Sequence, residues 1–227
     1  MNIVYFLLAG LFGYVLGSIP FGWVYVKLKT GKDIRTIGSG RMGGTNSYRA
    51  AGLVIGILTA LSDFLKGAVS VWVARWLFGG PADPNWLPWI ITFGGVMAVM
   101  GHNWSVFLKF KGGAGTGPNV GWATAIWLPI FPILFLVGLG LMLTVGMASV
   151  ASMVVAILIP VVFIILYFMG INPISGAEMS LAPLLGGLVT AAAVAWALRP
   201  NFKRIKTGDE RIVGPRAKRL ERKQQAG

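Results

Sequence analysis

Six long apolar stretches decide what this chain can be. Residues 3–26, 51–78, 87–108, 119–142, 144–169 and 180–198 each approach or exceed the ~20 residues that carry an α-helix across a bilayer. Backbone inside hydrocarbon must satisfy its own N–H and C=O groups, so such stretches are helical. Only 12% of the residues are charged, against about 25% in a soluble domain. The sequence predicts an all-α, polytopic integral membrane protein.

Charge then orients the spans. The loop after the first span carries Lys27, Lys29, Lys32, Arg35, Arg41 and Arg49 against one acid, Asp33. Excess Lys and Arg mark cytoplasmic loops, which places the N-terminus outside. GGPADPNW (79–86) holds turn residues and little charge, as an external loop does. KFKGGAGTGP (109–118) returns to the cytoplasm with Lys109 and Lys111. The tail holds Arg199, Lys203, Arg204, Lys206, Arg211, Arg216, Lys218, Arg219, Arg222 and Lys223, so it also stays inside.

That assignment needs an odd number of crossings, whereas a simple count of apolar runs gives six. Pro129 and Pro132 divide the run 119–142, and proline breaks a helix interior. A broken or re-entrant segment there, packed against protein, restores the parity. The expectation is about seven transmembrane helices in one domain, 1–210, followed by a basic cytoplasmic tail, 211–227, whose last ten or so residues are frayed. The N-terminal stretch lacks a basic leader and an A-x-A-like cleavage site, so it reads as a retained first span.

The net charge of +13 would suggest nucleic acid in a soluble protein. Here the positive-inside rule and anionic lipid head groups account for it, and no nucleic-acid partner is expected. There is no cysteine and one histidine, His102. Disulfides, thiol nucleophiles and multi-histidine metal sites are thereby excluded, and no metal or organic cofactor is expected.

Six stretches can carry chemistry. GSGRMGGTNSYR (38–49) lies outside the apolar runs. Its glycines permit backbone nests for an anion, while Ser39, Thr45, Asn46 and Ser47 add donors. Arg49 can grip a phosphate through two N–H groups. The stretch is neither a P-loop nor a dinucleotide fingerprint, since no G-K-[ST] follows and no strand precedes it. KFKGGAGTG (109–117) repeats the theme with two lysines, glycines and Thr116 on the same membrane face. DFLKG (63–67) places Asp63 and Lys66 one helical turn apart, a pair that either locks helices or supports a site. GHN (101–103) ends the third span and offers His102 as a base or a phosphate donor. Ser149 and Ser152 lie three apart in an apolar helix, and Asn201 opens the basic tail.

Taken together, GSIPFGWVYVKLKTGKDIRTIGSGRMGGTNSYRAAG (17–52), DFLKG (63–67), GHNWSVFLKFKGGAG (101–115), the SxxS at 149–152 and RPNFKRIKTGDE (199–210) resemble the bacterial acyl-phosphate-dependent glycerol-3-phosphate acyltransferase family. The likeness runs in order over residues 12–210. It implies a seven-helix enzyme of the bacterial plasma membrane with a cytoplasmic active site. The reaction it implies moves a fatty acyl group from acyl phosphate to the 1-hydroxyl of glycerol 3-phosphate, giving lysophosphatidic acid and phosphate. Partners are then the two substrates and membrane lipids, and the chain is a monomer. By position, Ser39, Gly40, Gly43, Thr45 and Asn46 resemble the acyl-phosphate loop. Arg49 and Lys109 resemble the residues that hold glycerol 3-phosphate, with Ser149 or Ser152 and Asn201 nearby. His102, Gly112 and Gly113 resemble the phosphate contacts of the second motif, and Lys111 is a further expected substrate-binding residue. Catalytic roles fall on Ser39, His102, Lys109 and Arg49, with Asp63 and Lys66 in support.

The chain departs from the family pattern at Arg41 (usually Asn), Gly44 (Ala), Ser105 (Pro), Ala114 (Lys), Leu198 (His) and Pro200 (Glu). Arg41 is expected to restore the positive charge lost at 114. A transporter or channel for an anionic metabolite, or an acyltransferase homologue that has lost activity, are the alternatives. No inverted repeat of the transporter kind is present.

Overall fold

The computed structural model describes residues 1–217, 219 and 222; the tail lysines Lys218 and Lys223 lie outside the described residues. Among those residues the chain is helical, with nine α-helices, two short 3-10 turns and no strand.

The first apolar run is two helices rather than one. α1 (Asn2–Ser18) ends at Ile19, and α2 (Phe21–Thr30) starts after Pro20. Proline has no N–H to continue the ladder, which accounts for the break. The short α3 (Gly44–Ala51) follows the glycine loop, and α4 (Leu53–Phe78) follows Gly52. At 26 residues α4 is about 39 Å long, enough to cross a bilayer. α5 (Leu87–Asn103) packs beside α1 through small residues. A Cβ on Gly13 would stand 2.1 Å from Gly94 O, and one on Gly17 would stand 2.2 Å from Ala98 O. Residue numbers rise together along this contact, so α1 and α5 run parallel.

The run 119–142 is divided as its prolines require, with one difference. α6 (Thr116–Ile126) stops before Pro129, and α7 (Ile130–Thr144) begins after it. Pro132 breaks nothing, because it lies in the first turn of α7, where no N–H donor is needed. At 11 and 15 residues the two helices reach only about 16 and 22 Å, short of the ~30 Å hydrocarbon core. The start of α6 and the end of α7 border the same cavity. The pair is therefore a helical hairpin that leaves one end of the bundle and returns to it. Buried Trp122 anchors α6, stacking on Phe163 with centroids 5.8 Å apart.

α8 (Ala148–Phe168) and α9 (Ala182–Thr207) complete the bundle. α9 continues beyond the apolar run and through Pro200. The segment after it folds back: Val213 N–H donates to Gly146 O at 2.8 Å, and Arg216 donates to Val145 O at 2.8 Å. Among the described residues, five segments are long and apolar enough to cross a membrane: 2–30, 53–78, 87–108, 148–168 and 182–207. Their outward faces carry Leu7, Leu11, Ile57, Leu61, Ile165 and Trp196, an apolar belt suited to lipid.

Candidate active site

At the loop-rich end of the bundle lies a cavity of about 350 Å³. Its lining is mixed: Ser39, Thr45, Arg49, Ser149, Asn201 and Glu210 are polar or charged, and Ala60, Val120, Gly138, Met142 and Val155 are apolar or small. Three helices begin at this cavity. Gly44 and Thr45 open α3, Thr116 and Gly117 open α6, and Ala148 and Ser149 open α8. No side chain caps any of the three. Uncapped first-turn N–H groups and the positive dipole end favour an anion.

The glycine loop is held by Asn46. Its Oδ1 accepts from Ser39 N–H at 3.0 Å, and its Nδ2 donates to Ile37 O and Arg41 O at 2.9 Å. The buried amide thus spends its hydrogen-bonding capacity on the loop itself. Gly38 and Gly40 have φ of +54° and +70°, and a Cβ on Gly38 would stand 2.3 Å from Asn46 Oδ1. Only glycine satisfies both the backbone and the space there.

Asp63, Lys66 and His102 form a buried cluster between α4 and α5. Lys66 Nζ lies 2.9 Å from Asp63 Oδ1 and donates to Ile19 O at 3.2 Å. His102 Nδ1 lies 3.3 Å from the same Asp63 oxygen, but not in hydrogen-bonding alignment. Asp63 and His102 border the cavity. The imidazole lies against Gly113, where a Cβ would be 1.9 Å from Nε2, and Gly113 N–H donates to His102 O at 2.9 Å.

A second cluster centres on Glu210. Ser149 Oγ and Asn201 Nδ2 donate to its Oε1 at 2.8 and 2.7 Å, and Arg204 Nε donates to its Oε2 at 3.0 Å. Burial pushes the Glu210 carboxyl pKa up, but these three donors together hold it below the ordinary value. Arg41 completes the cluster, donating from Nη1 to Asn201 Oδ1 at 2.6 Å and from Nη2 to Ala197 O.

The glycerol-3-phosphate acyltransferase family profile matches residues 7–208 of this chain. The chain belongs to the glycerol-3-phosphate acyltransferase family. A glycerol-3-phosphate acyltransferase of Rubrobacter xylanophilus is 36% identical over 207 residues, covering 91% of this chain and 94% of that protein. One from Aquifex aeolicus is 36% identical over 200 residues, covering 88% and 95%. Among solved structures, the integral membrane glycerol 3-phosphate acyltransferase PlsY in its glycerol 3-phosphate form superposes with a TM-score of 0.77 at 35% identity. That match covers 92% of this chain and 96% of the other. The lysophosphatidic acid form gives a TM-score of 0.74 at 34% identity. With five membrane-length helices and an integral membrane neighbour, this acyltransferase-family chain is a membrane protein.

The cavity brings together Ser39, Gly43, Thr45, Asn46, Arg49, Asp63, His102, Ser149, Ser152 and Asn201 from the sequence-derived set. Gly40 is not on its wall but shapes the loop through its positive φ. Lys66 reaches the site only through Asp63. Lys109 and Lys111 are exposed and outside the cavity. The backbone turns outward there, with φ of +53° at Lys109 and +61° at Phe110. Gly112 and Gly113 do not line the cavity; they admit the His102 backbone and ring. Sequence reasoning passed over Glu210 and Arg211, both on the cavity wall. The available signal was GDE at 208–210, where acid appears within an otherwise basic tail.

Proposed function

We propose that this protein transfers a fatty acyl group from acyl phosphate to the 1-hydroxyl of sn-glycerol 3-phosphate, releasing lysophosphatidic acid and phosphate. The observation that carries this reading is the mixed lining of the cavity. Three uncapped helix N-termini and the lining arginines suit two phosphate groups, and apolar lining residues from α4, α6, α7 and α8 suit an acyl chain. The first subsite comprises Ser39, Gly40, Gly43 and Thr45 around the acyl phosphate, with Asn46 bracing the loop. Arg49, Ser149, Ser152 and Asn201 face glycerol 3-phosphate.

Acyl phosphate is already activated, so the glycerol hydroxyl attacks its carbonyl carbon directly. The new ester C–O bond forms as the bond to the phosphate oxygen breaks. We assign the hydroxyl proton to His102, whose ring is placed by Asp63 and Gly113. Helix N-termini and arginines stabilise the charge that develops on the leaving phosphate. Lys109 and Lys111, both exposed and outside the cavity, attract anionic substrates electrostatically.

The reading extends to topology. Five crossings and the α6–α7 hairpin make seven membrane helices with an odd number of crossings, the N-terminus outside, and the cavity and C-terminus in the cytoplasm of a bacterial cell. The charge supports this, since Lys27, Lys29, Lys32, Lys109 and Arg204 lie at loops and helix ends of the cavity side. The protein works as a monomer; residues 1–210 form one unit, with 211–227 its basic tail. Labelled glycerol 3-phosphate and purified protein, supplied in parallel with palmitoyl phosphate, palmitoyl-CoA or palmitoyl acyl carrier protein, test the donor. Lysophosphatidic acid from palmitoyl phosphate alone is expected. Product from a thioester donor instead would refute the donor assignment.

A further inference from the structure

Three arginines reach the cavity wall from three different segments: Arg41 from the glycine loop, Arg49 from α3 and Arg211 from the segment after α9. Arg41 and Arg49 are half-buried. Among the described residues none of the three forms an ion pair. The cavity's two carboxylates are already engaged. Asp63 holds Lys66, and both oxygens of Glu210 are taken by Ser149, Asn201 and Arg204. Burial lowers the pKa of Arg41 and of Arg49; the charges of Arg204 and then Arg211 lower Arg41 further, that of Arg211 lowers Arg49 further, and the Glu210 carboxylate offsets part of this in both. Partly desolvated cations that share one cavity wall and bind no carboxylate directly are stabilised when an anion joins them.

Arg41 is already oriented. It spends one N–H of Nη1 on Asn201 Oδ1 and one of Nη2 on Ala197 O, both on α9. Neither acceptor is charged, and a guanidinium has five N–H groups, so three remain for a ligand. The anchor on α9 fits the local backbone. Pro200 supplies no N–H to the Trp196 carbonyl, which instead accepts from Arg199 Nε at 3.0 Å. The helix is loosened at that turn, and Arg41 takes the next carbonyl. Ala114 and Leu198 also line this cavity.

We propose that Arg41, with Arg211 beside it, forms an anion subsite for the phosphate of the acyl donor, separate from the glycerol 3-phosphate contacts of Arg49. The inference rests on the proposed acyl-phosphate reaction. The ligand chemistry is a phosphate monoanion or dianion, supplied by the acyl phosphate itself or by the inorganic phosphate it releases. Arg41 is then a specificity-determining residue that contacts the donor.

Steady-state kinetics with palmitoyl phosphate and glycerol 3-phosphate, together with product inhibition by inorganic phosphate, test this on the full-length protein. Arg41→Gln keeps amide donors for α9 and removes the charge; Arg41→Lys keeps the charge; Arg211→Gln removes the neighbour. Arg41→Gln is expected to raise the donor KM and the phosphate inhibition constant together by about tenfold to a hundredfold, as loss of a charged hydrogen bond does, with the glycerol 3-phosphate KM within about twofold of wild type. Arg41→Lys should recover part of both losses, and Arg211→Gln should repeat them more weakly. Unchanged donor KM and phosphate inhibition in Arg41→Gln would overturn the subsite. So would an equal rise in the glycerol 3-phosphate KM. Thermal stabilisation by inorganic phosphate gives an activity-independent readout. If wild type used no acyl phosphate, phosphate stabilisation lost in Arg41→Gln would support the subsite while removing the donor assignment, and stabilisation retained there would overturn the subsite.

Discussion

Ser149 and Asn201 stand on different helices, α8 and α9, and donate to the same oxygen of Glu210, at 2.8 and 2.7 Å. Glu210 lies beyond the end of α9 and is 7% exposed. One carboxylate therefore ties two helices and the returning segment together at the cavity wall. Asn201 is shared further, since its Oδ1 takes Arg41 at 2.6 Å.

Removing that carboxylate should cost both stability and activity. Glu210→Ala leaves two buried donors, on Ser149 and Asn201, and the partly exposed Arg204 without their acceptor, and each buried loss costs about 1–3 kcal/mol. Thermal unfolding in detergent should show a clear fall in Tm, with lysophosphatidic acid formation lost in parallel. A wild-type Tm in Glu210→Ala would contradict this role.

The same residue predicts a pH dependence. The folded-state pKa of Glu210 is held below its ordinary value of 4.5. The unfolded chain therefore binds the proton more readily. Stability from Glu210 is full above pH 4.5 and is lost as the pH falls through the lowered folded value. Unfolding measured from pH 6 downward should show wild type losing stability on acidification more steeply than Glu210→Gln.

Asp63 and Lys66 are a buried ion pair, with side chains 4% and 1% exposed. Removing one partner strands the other, at a cost of about 3–5 kcal/mol. Asp63→Asn or Lys66→Met alone should express poorly, and the double variant should recover folding. Activity should stay low in the double variant, because His102 has lost the carboxylate 3.3 Å from its Nδ1. Full activity there would mean that the pair serves folding only.

The two adjacent glycines of the second loop should behave differently. A Cβ on Gly112 meets backbone, His102 O at 2.0 Å, which cannot move cheaply. A Cβ on Gly113 meets the His102 ring, which can shift. Gly112→Ala should lower Tm more, while Gly113→Ala should lower kcat by about tenfold or more in a folded protein by misplacing the base. Circular dichroism melts and initial rates on the same preparations separate the two effects.

Arg49 borders the cavity and Lys109 is exposed outside it. Arg49→Ala should raise the KM for glycerol 3-phosphate by about tenfold or more at any ionic strength. Lys109→Ala should raise it modestly, with an effect that disappears in high salt, as screened attraction does. A salt-independent loss in Lys109→Ala would place that side chain on the substrate.

Much of this was legible in the sequence, for identifiable reasons. Span length and loop charge are one-dimensional signals, so α4, α5, α8 and α9 appear where hydropathy puts them, and Pro129 marks the break between α6 and α7. Pro20 breaks the first span just as surely, but the apolar residues around it masked the break. The residues gathered at the cavity came from motif resemblance, which works by position. Position cannot say which way a side chain faces. Lys109 and Lys111 lie next to cavity-forming residues in sequence, yet the left-handed backbone at 109–110 turns them outward. Asn46 resembles a ligand donor but is consumed by its own loop. Glu210 and Arg211 were hidden because a basic tail reads as a lipid anchor until the chain is seen to fold back on Gly146.

The most direct test of the account is stoichiometry. Purified protein receives palmitoyl phosphate and labelled glycerol 3-phosphate, and released phosphate and lysophosphatidic acid are counted in the same tube. One phosphate is expected for each lysophosphatidic acid, both requiring glycerol 3-phosphate and both falling together in Arg49→Ala at sub-saturating glycerol 3-phosphate. Phosphate released without acceptor, or lysophosphatidic acid absent from folded protein, would contradict it.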